Sequence, residues 1–151
     1  MLFFPKVKIR WGKIILVSII LLVIQMVIMN IEAFFDMKYY IMPQYFTVWS
    51  GLMMPNAGPP PIEFFIMSSL FSFLSALVLA CVYECFKGSL EKKFWSRVLG
   101  YTKLMALLSL IFAYLPMYLM INLPLGLIIS WFISGILVIF LGTIVFVKVL
   151  K

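Results

Sequence analysis

Three of the five carboxylates in this chain, Glu32, Asp36 and Glu63, fall between Asn30 and Glu63. The same stretch carries Tyr39, Tyr40, Tyr45, Phe46 and Trp49, and ends in a proline run. Glu32 and Asp36 are four residues apart, so on a helix they share one face a turn apart. Two acids held that close can bind a cation or a protonated amine, or share a proton, because like charges resist ionising together. Ser18, Gln25 and Glu32 recur every seven residues and continue that face toward the amino terminus. The spacing predicts a polar pocket with Glu32 and Asp36 on its floor. Tyr39, Tyr40 and Trp49 are expected as its aromatic wall, and Asn56 and Glu63 as its far side. In the opposing reading, Ser18 and Gln25 bond neighbouring helices and each acid stands alone in interfacial water.

Other chemistry is excluded by residue type. The chain has no histidine, which removes the commonest metal ligand and the usual general base. Cys81 and Cys85 sit in CVYEC, a spacing unlike the C-x-x-C of a redox pair, and read as small apolar packing residues or an acylation site. No phosphate-binding glycine pattern, paired-cysteine metal box or G-x-S-x-G elbow is present. No metal and no cofactor is expected. Every acid lies at or near the end of an apolar run, which argues against a proton-coupled exporter with an acid at mid-membrane.

The elements that must position these residues are apolar. Of 151 residues, 66% are hydrophobic and 11% charged. Soluble domains are about half apolar and a quarter charged, so the solvent for this surface is lipid. The fold class is all-α: a polytopic membrane protein, a four-helix transmembrane bundle forming a single integral membrane domain over 1–151. Helices are predicted at about 13–35, 62–86, 103–121 and 125–148. An aromatic-rich extracytoplasmic loop is placed at 37–61 and a basic connector at 87–103. The head and first apolar run read as an uncleaved membrane helix, because the run is long for a signal core and no small-x-small site follows it. Ser68, Ser72, Ala76 and Ala80 form a small-residue ridge suited to close helix packing. Pro116 is expected to kink the third helix.

The net charge of +7 does not point to nucleic acid, because Lys and Arg gather at the ends of apolar runs. The amino-terminal head, the 87–103 connector and the tail hold every basic residue except Lys38. That distribution predicts a multi-pass protein of the cell membrane with both termini cytoplasmic. Lys92, Lys93 and Arg97 would then face anionic lipid headgroups. The function expected is non-enzymatic: a binding, accessory or assembly component, with a membrane-protein partner or a second copy of the chain. A small oligomeric transporter or channel is the alternative, and an intramembrane enzyme acting on lipid the third reading. Single-cysteine labelling of intact cells tests the topology. A cysteine at Asn56 should react with an impermeant reagent from outside, and one at Lys92 should be protected.

Overall fold

The structure, a computed structural model, describes residues 10–54 and 59–151. Among these residues the fold is all-helical, with no strand. Four helices are long and apolar enough to span a membrane: Trp11–Tyr40, Ile62–Phe86, Phe94–Met120 and Leu125–Val149. A helix satisfies its backbone donors and acceptors internally, which lipid requires of any spanning segment. The stops are local. Pro61 and Pro124, both extended, immediately precede the second and fourth helices, at positions where a missing N–H costs no helical bond.

The first helix packs between the second and the fourth, and the third packs on the outer side of the fourth. Sequence neighbours run antiparallel, so the basic segments gather at one end of the bundle, and Glu32, Asp36 and Glu63 at the other. Toward the basic end lies the larger core: Ile14, Val17 and Leu21 against Ala76, Ala80, Tyr83, Tyr101 and Phe146. Tyr83 stacks edge-on to Tyr101 at 5.3 Å and lies 5.7 Å from Phe146. The Tyr101 hydroxyl donates to the Leu79 carbonyl at 2.6 Å, joining the third helix to the second. Of the ridge, Ser72, Ala76 and Ala80 are buried and Ser68 is half-buried. The second helix has its main contact with the first, and that small face allows the approach.

Basic side chains close the final turn of the fourth helix. Arg10 donates to the Lys151 carbonyl, Lys13 to Val149 at 3.2 Å and Lys87 to Leu150 at 2.7 Å. The last carbonyls of a helix have no partner within it and carry the negative end of its dipole, so cations are favoured there. Lys87 also pairs with buried Glu84 at 2.8 Å. That pair accounts for the one acid at this end of the second helix.

Four expectations change. The first helix continues past residue 35 to Tyr40, so Asp36, Tyr39 and Tyr40 are helical and the connecting segment starts later than 37. No glycine or proline interrupts the chain between Gly12 and Pro43, and nothing else stops the helix there. The third helix starts at Phe94, so the latter part of the connector expected at 87–103 is the first part of the span. The proline effect is displaced: Leu110–Tyr114 forms a π turn just before Pro116, with the Leu115 N–H bonding back to Leu110. The wider turn eases the clash of a proline ring with the carbonyl four residues earlier. Nor do Ser18 and Gln25 bond to another helix. Ser18 donates to Ile14 at 2.8 Å and Gln25 contacts the Met29 sulfur, both within their own helix.

The tightest helix contact is at Gly142. A methyl added there would lie 2.7 Å from Leu21 Cδ1 and 3.1 Å from Cδ2, and Leu21 is fully buried. Gly142→Ala is expected to lower stability by roughly 1–3 kcal/mol through overpacking. At Gly100 the added methyl meets Leu90 at 3.6 Å, an ordinary contact. Gly100→Ala should be neutral or stabilising by up to about 1 kcal/mol. Unfolding of both variants in one detergent checks the contrast.

Candidate functional site

At the acidic end, Glu32, Asp36 and Tyr40 succeed one another at four-residue intervals along the first helix. This spacing stacks them on one face. Asp36 is 5% exposed, deeper than a carboxylate at a helix end normally sits. Its Oδ2 has no hydrogen-bond partner among the described residues.

An aromatic cap lies over this face. After Tyr40 the chain turns through a short 3₁₀ helix, Pro43–Val48, which brings Trp49 back over the end of the bundle. The Trp49 ring lies 5.2 Å from Tyr40 and 6.3 Å from Trp131 on the fourth helix. Trp131 Nε1 donates to the Tyr40 hydroxyl at 3.1 Å, linking the first helix to the fourth. Tyr114, from the π turn of the third helix, donates to the Trp131 carbonyl at 3.0 Å. Beneath the cap is a small apolar core of Leu123, Leu127 and Ile128. The Trp49 Nε1 is buried without a partner, so the cap leaves both a donor and an acceptor unfilled.

Two glycines make this arrangement possible. A methyl at Gly126 would lie 2.5 Å from the Tyr39 hydroxyl, and one at Gly135 would lie 2.9 Å from the Tyr114 hydroxyl. Both tyrosine heads rest where the fourth helix has no side chain. The glycines are helical, so their role is clearance.

The first and fourth helices also border a groove of about 270 Å³. Ile28, Ile31, Glu32 and Phe35 form one wall, and Ser130, Ser134 and Leu137 the other. Ser134 and Glu32 stand on opposite walls of this groove. Thr143, lower on the fourth helix, bonds back to Ile139 at 2.6 Å.

The structure therefore brings together Glu32, Asp36, Tyr39, Tyr40 and Trp49. Glu63 is exposed in the first turn of the second helix, and Asn56 lies outside the described residues. Lys38 rests over the Tyr39 ring at 4.9 Å. Trp131, Tyr114 and Ser134 are not among the site residues that the sequence suggests. The four-residue spacing of Leu127, Trp131 and Gly135 was the available signal, but it does not say which helix that face meets. At the other end, Lys92 and Lys93 are exposed just before the third helix, while Arg97 is half-buried and donates to the Glu91 carbonyl at 3.0 Å. No group of three or more metal-ligating side chains occurs among the described residues. Comparison with known protein families, curated proteins and solved structures finds no match to this chain.

The Trp131–Tyr40 bond should be measurable. Trp131→Phe and Tyr40→Phe each remove it, at an expected loss near 1 kcal/mol. Because both delete the same bond, the double variant should fall short of the sum by at least about 0.5 kcal/mol. A double-mutant cycle on unfolding in detergent checks this.

Proposed function

We propose that this protein is a non-enzymatic binding component of the cell membrane, with both termini cytoplasmic, and that it recognises a positively charged group at the acidic end of its bundle. The observation carrying this reading is Asp36, 5% exposed and with an oxygen lacking any partner. A desolvated carboxylate is costly unless a cation or several hydrogen bonds compensate it. Neighbouring Tyr40 and Trp49 offer ring faces, which add about 1–2 kcal/mol to the binding of a desolvated cation. The Trp49 N–H offers one more hydrogen bond to such a ligand.

Binding is favoured over passage by the other half of the bundle. The side chains of Leu21, Tyr83, Tyr101 and Phe146 fill the space between the helices there, and all four are buried. The orientation rests on the basic clusters, and exposed Lys92 and Lys93 suit anionic headgroups on the cytoplasmic side. A membrane-protein partner bearing a cationic group, or a second copy of the chain, would use the same acidic end.

The test is Asp36→Asn in the full chain, purified and held in phosphatidylcholine nanodiscs. Tetramethylammonium and ethylammonium are titrated against sodium at equal ionic strength, with tryptophan fluorescence as readout. The ligand-free variant should be more stable than the parent, since an uncompensated buried charge is removed. Its affinity for the ammonium probes should fall at least tenfold. Loss of stability with no ammonium binding in either protein would make Asp36 a structural residue and end this reading.

A further inference from the structure

We propose that the groove between the first and fourth helices admits a long-chain amine from the bilayer, with its ammonium head on Glu32 and Ser134 and its chain on Ile28 and Leu137. This rests on the binding reading above and narrows it to a class of ligand and a direction of entry.

Depth is the first argument. The first helix has 30 residues, about 45 Å at 1.5 Å per residue, which exceeds a hydrocarbon core of about 30 Å. Counting about 20 residues from Lys13 places the far hydrocarbon boundary near Glu32. An acid at that level meets the heads of amphiphiles, and the groove below it meets their chains. The lining follows the same gradient. Glu32, Ser130 and Ser134 are toward the acidic end, while Ile28 and Leu137 lie deeper. The groove is open to the side, with Phe35 71%, Ile31 54% and Leu137 44% exposed.

Charge is the second argument. Glu32 lines the groove with no basic residue beside it there, and the nearest charged neighbour on its helix face is Asp36, of the same sign. A carboxylate in that position calls for a cation. Two acids one turn apart also repel phosphate, so the ligand is a single cation and not a zwitterionic phospholipid. At about 270 Å³ the groove is near the lower end of small-molecule pockets, roughly 300–1,000 Å³. A helix about 10–12 Å across would lie over the groove without entering it. Asp36, buried with its free oxygen one turn above, would add a second attraction for the same head.

The test uses the full chain in phosphatidylcholine nanodiscs and compares decylammonium, ethylammonium and decanol. Decylammonium should bind saturably and at least tenfold more tightly than ethylammonium, and decanol should not compete. Glu32→Gln should weaken decylammonium at least tenfold. Leu137→Trp, which fills the deep end of the groove, should remove the advantage of the chain and leave ethylammonium binding in place. If ethylammonium binds as tightly as decylammonium and depends on Asp36, the cation site stands and the groove proposal falls. If neither amine binds, both fall. Competition by phosphatidylethanolamine at equal affinity would overturn the choice of a single cation. A Glu32→Gln variant that changes oligomeric state without changing amine binding would assign the groove to a partner helix and overturn the proposal.

Discussion

Arg10, Lys13 and Lys87 reach the carbonyls of the last turn of the fourth helix, and the rest of the bundle depends on that junction. Those carbonyls would otherwise need water at the membrane boundary. Because the three cations come from the start of the first helix and the end of the second, one set of hydrogen bonds gathers three helix ends. The aromatic contacts of Tyr83, Tyr101 and Phe146 then add the third helix. Lipid would supply no hydrophobic drive between such helices, so the grip would come from polar closure of this kind and from close approach at Ala76, Ala80 and Gly142.

With the basic end fastened, the helices have more room toward the acidic end. The second and third helices present large exposed apolar side chains there, Phe65, Phe71, Phe112 and Leu119 among them, as expected of surfaces that meet lipid. The first and fourth helices remain in contact, and their outer junction sets Glu32, Ser130 and Ser134 among apolar side chains. The Trp131–Tyr40 bond and the clearances at Gly126 and Gly135 hold the aromatic cap in place. Within this rigid surround Asp36 stays buried with one oxygen unmatched. Glu84 Oε2 and Thr102 Oγ1 are likewise buried without partners at the basic end, where Lys87 meets the other oxygen of Glu84.

The π turn links these two halves of the account. Pro116 stands in the span and would clash with the preceding turn of a regular helix. Widening at Leu110–Tyr114 relieves that strain and alters the register of the chain ahead of the proline. One result is that Tyr114 faces the fourth helix, bonds Trp131 and packs against Phe132 at 5.1 Å. A local backbone accommodation thus supplies one of the supports of the cap.

The sequence by itself determined that the chain is all-helical, that four apolar segments could span a membrane, and that acids and aromatics gather after the first of them. Each follows from composition or from periodicity along one helix. Glu32, Asp36 and Tyr40 share a face because four residues make about one turn, and that holds whatever the helix packs against. What only the tertiary structure decided is which helices that face meets. Trp131, Tyr114 and Ser134 lie 74 or more residues further along the chain, and no spacing within a helix records a partner so distant. The small ridge of the second helix shows that some helix comes close, but the identity of that helix is set by how all four pack together. The length of the first helix was also misjudged, because aromatic residues and Asp36 read as a boundary. The backbone continues as helix until Pro43 approaches, and in doing so it carries Asp36 into the protein, away from water.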